Sequence, residues 1–424
     1  MSASTYQLVT RLATLTAVHR AFYWLHLHQP QVRRWLLEAV RIPAPPFAEQ
    51  DRAAWFLERF RQMGLTNVHL DEEGNALAEL APENSQADAP VILLSAHLDT
   101  VFPAGTVCEP IEEADSARIL GPGVCDNAAG LSALLALAAA LRYAHINPPA
   151  TILFAANVGE EGEGDLRGMR HIFTSGRYRR RIAAAIALEG GGTTAVVTSG
   201  LGSMRFRVIV TGPGGHSWSD AGAPNPILLL SSALSAIAGL PLSVEPLITL
   251  NVGYISGGTS VNSIPSSATA LIELRSTSSP HMQATAAEIR RILEETVAPF
   301  TTLADPVTLH IETIGERPAA SLTPSSALLG LLHAVDRHLN LATEQRLGST
   351  DSNLPLSLGV PALAIGTGGI GGSIHTLDEW YDPSGRETAL RRILLLLLAA
   401  TQSASQLGIE ASSHGSDTAV HSTP

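Results

Sequence analysis

Three short apolar runs in this chain end on groups that are costly to bury. "PVILLSAHLD" leads into His97 and Asp99, "ATILFAANV" into Glu160 and Glu161, and "AAAIALEG" into Glu189. Apolar segments of this length read as buried strands of an α/β layer architecture. The Ala/Leu-rich segment 128–142 reads as a buried helix between two of them. Side chains two apart on a strand share a face, so His97 and Asp99 project together. In open α/β sheets ligands bind beyond the carboxyl ends of the strands. A fold that ends its buried strands on ionisable residues must bring those ends to something that offsets their charge.

The organisation around these strands is mixed. Residues 6–40 show helical spacing, "IPAPPFAEQ" interrupts it, and a second helix, "DRAAWFLERFRQMG", stops at Gly64. From about Ser199 the pattern changes to period two in "SMRFRVIVTG". A helix at 226–238, the strands "LITLNVGYI" and "ATALIELRS", a helix at 281–297 and the strand "VTLHIETI" follow, closing near Gly315. This β-α-β-β-α-β order predicts a small antiparallel sheet with helices on one face, a ferredoxin-like α+β domain inserted into the larger one. The expected boundaries are 1–198 and 316–402 for the larger α/β domain, 199–315 for the insert, and a loose polar tail at 403–424.

Composition narrows the partners. The 424 residues carry 39 Asp and Glu against 27 Lys and Arg, a net charge of -12, which offers no footprint for nucleic acid or an anionic membrane. Two cysteines, Cys108 and Cys125, make no disulfide framework and fit a reducing compartment. Arg11, His19 and Arg20 interrupt the apolar positions of the N-terminus, unlike a secretory signal. The leucine run "ILLLLLAA" has eight residues, far short of the ~20 needed to span a bilayer. The expectation is a cytoplasmic protein.

Two further motifs join the strand ends. In "GPGVCDNAAG", Asp126 and Asn127 precede the Ala/Leu helix and, taken alone, read as its N-cap. In "GGIGGSIHTLDEW", His375 leaves a glycine-rich loop. If these segments adjoin, Asp126, Glu161, Glu189, His97 and His375 converge, and the carboxylates repel one another unless cations are present. Two divalent ions balance three carboxylates and a bridging hydroxide. Imidazole and carboxylate without thiolate suits zinc, with cobalt or manganese as substitutes. Asp126, held by glycine-flanked backbone, is placed to bridge, and Asp99 to hold the His97 imidazole from behind. Glu161 then ligates while its neighbour Glu160 transfers protons. The "GTGGIGG" loop runs into His375 and does not open a helix, so Gly368 is expected to let backbone approach a substrate closely rather than to cradle phosphate.

The ordered set "HLDTV", "CDNAAG", "GEEGEG", "LEGG", "GPGGHS", "GGTSVNSIP", "ELRS", "GSTDSN" and "IHTLDEWYD" resembles the di-zinc metallopeptidases and deacylases that include aminoacylase, carboxypeptidase G, succinyl-diaminopimelate desuccinylase and peptidase T. The resemblance covers nearly the whole chain. It implies a mixed-sheet zinc-peptidase catalytic domain with an inserted lid and dimerisation domain, and two zinc ions per subunit. His97 and Glu189 would bind one ion, Glu161 and His375 the other, with Asp126 between them. Glu160 would be general base and acid, and Asp99 would stand behind His97. In the homodimer, His216 would reach the partner's active site to stabilise the oxyanion, and Asn262 and Arg275 would hold substrate carbonyl or carboxylate groups. Cys125, where a small residue is expected, and the long N-terminal segment depart from the pattern.

The expected activity is hydrolysis of an amide bond in a small peptide, by an exopeptidase of the peptidase T kind. The alternatives are an N-acyl-amino-acid deacylase or carboxypeptidase of the same family and, from another class, a binding protein that kept the fold without catalysis. The last predicts a lost base or ligand, and every expected position is filled.

Overall fold

Runs of Val, Ile, Leu and Ala with no polar face have to be buried on both sides, and the main sheet places them at its centre. The computed structural model describes residues 3–84, 86 and 88–415. In chain order the main sheet contains β1 (Thr66–Leu70), β2 (Ala76–Leu80), β3 (Val91–His97), β4 (Thr151–Asn157), β5 (Ile182–Leu188) and β6 (Ala195–Gly200). A second unit follows with β7 (Gly202–Thr211), β8 (Ile248–Gly257), β9 (Ser267–Ser276) and β10 (Thr308–Arg317), after which β11 (Glu344–Gly348) and β12 (Ala362–Ile365) return to the main sheet. The main sheet runs β1-β2-β4-β3-β5-β12-β6, with β11 also paired to β6. β4, β3, β5 and β12 are mutually parallel, so their carboxyl ends open on one side. Every residue of β3, β4 and β5 is buried.

The helices are α1 (Ala3–Ala13), α2 (Thr16–Leu27), α3 (Gln29–Val40), α4 (Gln50–Gln62), α5 (Ala128–Tyr143), α6 (Arg167–Thr174), α7 (Pro226–Ala238), α8 (Ser279–Val297), α9 (Ala327–Leu339), α10 (Asn353–Ser357), α11 (Arg386–Gln402) and α12 (Ala404–Gly415). α5 and α11 both pack on β3, which accounts for their near-continuous apolar sequences. The helical spacing of residues 6–40 resolves into α1, α2 and α3. α2 and α3 lie on α5, and α1 on α9 and α11. No single helix among the described residues is long and apolar enough to cross a membrane.

The chain divides into two compact units, one running to Gly200 and resuming at Ser321, the other Leu201–Ala320. In the latter, β7, β8, β9 and β10 form an antiparallel sheet in the order β8-β9-β7-β10. Alternate residues, among them Phe206, Val208, Ile272 and Leu274, point into a core closed by Leu230 and Ile237 of α7 and by Ile289 and Leu293 of α8. The β-α-β-β-α-β order gives a ferredoxin-like sheet with both helices on one face.

The sequence expectation for residues 403–424 needs correction. Residues 404–415 form α12, in which Ala404 and Leu407 are buried against the first unit. Full burial of a leucine stabilises by about 1.5–3 kcal/mol, enough to dock a helix otherwise built of small residues. The Glu410 carboxylate also accepts the Ala327 N–H at 3.0 Å, at the start of α9. Residues 416–424 lie outside the described residues.

Candidate metal centre

Each candidate ligand is delivered by a strand end or by the loop just beyond it. His97 is the last residue of β3, and the chain turns there as the Leu98 N–H donates to Asn157 O at the end of β4. Asp99 is fully buried, and its two carboxylate oxygens accept the backbone N–H groups of Glu160 (2.9 Å) and Glu161 (2.7 Å). This clamp is what allows two glutamates to follow a buried strand: one aspartate fixes their backbone and leaves the side chains to diverge. Glu189 follows β5 and is pinned by its N–H to Ile365 O of β12. The helix-cap role belongs to Asn127, whose side chain accepts from the Gly130 and Gly190 N–H groups and donates to Leu188 O. Asp126 is thereby left to face the cluster. His375 sits at φ +66° in the loop beyond β12.

The five side chains meet. Asp126 divides them: its Oδ1 lies 3.1 Å from His97 Nε2, and its Oδ2 lies 3.1 Å from His375 Nε2. Glu189 Oε1 is 3.3 Å from His97 Nε2, and Glu161 Oε1 is 3.0 Å from His375 Nε2. Two groups of donors therefore share one carboxylate. Behind the first, His97 Nδ1 faces the Asp99 carbonyl oxygen at 3.1 Å, closer than the Asp99 carboxylate at 3.7 Å. The sequence expectation gave the imidazole to the Asp99 carboxylate. That carboxylate is occupied by the two glutamate amides, and the backbone carbonyl makes the closer contact.

The electrostatics are those of a site built for cations. Burial works against a charged His97, but Glu189, Asp126 and Asp99 outweigh it and hold its pKa well above the ordinary imidazole value. Hydrogen bonds to Asp126 and Glu161 push His375 up to about 10. Burial would raise Asp126, yet the bonds to His375 and His97 hold it well below the usual carboxylate range. At Glu189 burial wins, and the pKa rises to about 7 despite the neighbouring imidazole. Without metal, protons on the two imidazoles supply the positive charge that the carboxylates require.

One atom shows that protons do not complete the site: Glu189 Oε2 is buried without a hydrogen-bond partner. Asp126 Oδ1 is buried against the His97 ring at 3.1 Å. A buried carboxylate oxygen rarely persists unpaired, and a cation would satisfy it. Donor atoms of His97, Asp126 and Glu161 also lie within 4.8 Å of one another. The set is imidazole and carboxylate only. Burial, with the Glu379 carboxylate nearby, pushes the adjacent Cys125 thiol up to about 12. Cys125 fits beside the centre because residue 371 is glycine: a Cβ there would come within 2.4 Å of its sulfur.

In the inserted unit, His216 and Asn262 are exposed neighbours. His216 pairs with Ser263 across a short two-stranded ladder, and the Ser217 N–H donates to Asn262 O at 3.0 Å. His216 Nδ1 accepts the N–H groups of Trp218 (3.1 Å) and Ser219 (3.3 Å), which assigns the ring proton to Nε2 and leaves that nitrogen a donor. Arg275 lies on the sheet face opposite the helices, its Nε and Nη2 each 2.9 Å from a Glu273 oxygen. Glu273 also accepts from Arg205 Nε at 3.0 Å. Gly368 needs a different explanation from the substrate contact expected of it. It is buried, its N–H donates to Gly192 O, and its carbonyl accepts from the Tyr381 hydroxyl. At φ +88° a Cβ would lie 2.4 Å from Arg386 Cα, so glycine is required here by packing.

The sequence profile of peptidase family M20/M25/M40 matches residues 93–400, a span that contains every member of the cluster. The chain belongs to peptidase family M20/M25/M40. A probable carboxypeptidase of Aspergillus flavus is 28% identical over 288 residues, which cover 62% of this chain and 66% of that one. The chain thus spans just under two thirds of that relative. Among solved structures, a tripeptidase from Staphylococcus aureus is similar with a TM-score of 0.70 at 20% identity, covering 88% of this chain and 98% of that one. A dinuclear metal-binding peptidase of the M20 family from Bacillus subtilis has a TM-score of 0.62 at 15% identity, covering 88% and 98%. At these identities the structural likeness shows the M20 fold.

Two supporting residues of this M20 chain were not singled out from sequence. Asp351, buried within "GSTDSN", accepts from Asn157 Nδ2 at 2.8 Å and adds to the negative field that raises Glu189. Asn157 closes β4 and is itself fully buried. A polar residue at the end of an apolar strand, followed by the glutamate pair, was the available signal.

Proposed function

We propose that the chain is a di-zinc amidohydrolase that cleaves an amide bond in a small peptide, as an exopeptidase of the peptidase T kind. The observation that carries this reading is the two-sided placement of Asp126, one oxygen toward His97 and Glu189, the other toward His375 and Glu161. The donor set favours zinc, with cobalt or manganese as replacements. Bound there, two such ions would polarise the scissile carbonyl and lower the pKa of water toward ~7.

The chain's own residues supply the rest. His97, Glu189, Glu161 and His375 would hold the ions, with Asp126 shared between them. Glu160 takes the proton from the attacking water and returns it to the amine nitrogen as the C–N bond breaks. The Asp99 clamp on its amide fixes where that carboxylate starts. In a homodimer formed through the inserted unit, His216 Nε2–H of one subunit donates to the developing oxyanion of the other. Asn262 holds a substrate carbonyl, and Arg275 a carboxylate. The protein works in the cytoplasm on small soluble substrates.

A carboxypeptidase is the second reading, favoured by the name of the A. flavus relative and by the guanidinium of Arg275. Zinc-loaded protein offered tripeptides, C-terminally amidated peptides, and N-acetyl and N-succinyl amino acids separates the two. Release of the N-terminal residue from free tripeptides, with blocked N-termini refused, is the expected result. Cleavage of blocked peptides that requires a free C-terminus moves the assignment to a carboxypeptidase or deacylase, and no cleavage of any amide refutes the hydrolase.

A further inference from the structure

One fully buried carboxylate beside the metal centre has no part in the chemistry above. Glu379 lies four residues after His375 and is 0% exposed. One of its oxygens accepts the N–H groups of Cys125 and Asp126, each at 2.8 Å, and the other accepts the Gly123 N–H at 3.1 Å. Its backbone is tied into the same place. The Glu379 N–H donates to Thr376 O, within the turn that carries His375, and the Gly121 N–H donates to Glu379 O. A small antiparallel sheet anchors both segments, with Trp380 paired to Leu120 on one side and to Gly372 on the other.

Burying a carboxylate is costly, and an apolar residue would fill the same space at less cost. The N–H groups that Glu379 holds all belong to the turn that delivers Asp126, and the last of them is the amide of Asp126 itself. A carboxylate that serves two ions must present its oxygens at matched reach, and those of Asp126 are each 3.1 Å from an imidazole nitrogen. Sites of this kind tolerate errors of only ~0.5 Å and about 10–20° in ligand placement. Free rotation of the Asp126 peptide would exceed that.

We propose that Glu379 is a positioning residue of the metal centre: through the amides of residues 123, 125 and 126 it sets the orientation of the Asp126 carboxylate between His97 and His375. It thereby joins the two sides of the centre, since the short segment that bears His375 also bears the group that grips Asp126. The inference rests on the reading of Asp126 as a ligand shared by two metal ions.

The test is calorimetric titration of the metal-free full chain with zinc, together with the visible spectrum of the cobalt-loaded protein. Glu379→Ala is expected to weaken zinc binding by about 10- to 100-fold and to alter the cobalt bands, the size of effect typical when a group that orients a ligand is lost. Its kcat should fall while KM stays within about twofold, because the substrate contacts are untouched. Glu379→Gln keeps one acceptor oxygen for Cys125 and Asp126 but turns an NH2 toward the Gly123 N–H. It should recover much of the affinity and remain roughly 3- to 10-fold below wild type. A folded Glu379→Ala protein with wild-type zinc affinity and an unchanged cobalt spectrum overturns the proposal. If the alanine variant fails to fold, the glutamine variant decides, and wild-type values there overturn it equally. Asp126→Asn in the same titration separates this from the underlying reading. If Asp126→Asn still binds two zinc ions as wild type does, the shared-ligand reading fails. If it loses them while the Glu379 variants do not, only the positioning role fails.

Discussion

The strand-end cluster and the candidate residues of the inserted unit are held in opposite ways. His97, Asp99, Glu160 and Glu161 are each less than 9% exposed, and a buried oxygen of Glu189 has no partner of its own. His216, Asn262 and Arg275 are exposed or half-exposed, and each is already engaged within its own unit: His216 by two backbone amides, Asn262 by the Ser217 N–H, Arg275 by Glu273. The first region buries charges that suit a cation, whereas the second satisfies its polar groups within its own surface. The proposed function asks for chemistry at the first and for contacts to substrate from the second.

The sharpest way to break that contrast is Glu160→Gln. It should lower kcat by on the order of 10²–10⁴, the usual share of a proton-transferring group, while zinc content stays unchanged. Steady-state kinetics with metal analysis checks both, and loss of metal would instead make Glu160 part of the cation shell. His216→Ala is expected to cost about 10²–10³ in kcat with metal binding intact. An unaffected kcat would confine His216 to its own surface, and a fully active monomer in solution would do the same.

A third test uses pH. Metal-free His375 is protonated up to about 10 because Asp126 and Glu161 stabilise its charged form, and ligation needs the neutral ring. Its raised pKa opposes metal uptake at low pH, and the opposition fades as pH rises toward that value. Zinc affinity should therefore climb roughly tenfold per pH unit for each proton displaced, about a hundredfold from pH 6.5 to 8.5 for one. Titrations in buffers of different ionisation enthalpy would count the protons released. The smallest effect is expected at Arg275→Ala, about tenfold in kcat/KM for substrates with a free carboxylate and none for amidated ones. An equal loss on both would mean that the Glu273–Arg275 pair only supports the sheet.

The parts of the site that could be read from sequence share a physical cause. A carboxylate or imidazole at the end of an apolar strand is expensive, so its position in the sequence announces a use, and His97, Glu161 and Glu189 were visible for that reason. The Asp126–Asn127 pair was ambiguous because both residue types cap helices, and only coordinates divide the work between them. Glu379 and Asp351 sit in segments rich in polar residues, where a fully buried acid looks like any loop acid. β6 and β11 lack the continuous apolar run of the central strands, and β6 alternates buried and half-buried residues. Helix α12 was missed because its docking rests on Ala404 and Leu407 among small residues that carry almost no periodic signal. Gly368 shows the converse: a glycine-rich loop suggested contact with substrate, and the close approach is to Arg386.

Anomalous diffraction at the zinc edge from crystals of the zinc-loaded chain would test the two-ion centre most directly. The expected result is two zinc ions ~3.5–4 Å apart, the spacing of two-metal hydrolases, with one oxygen of Asp126 on each, His97 and Glu189 on one, and Glu161 and His375 on the other. A single ion, or a pair that Asp126 does not join, would contradict it.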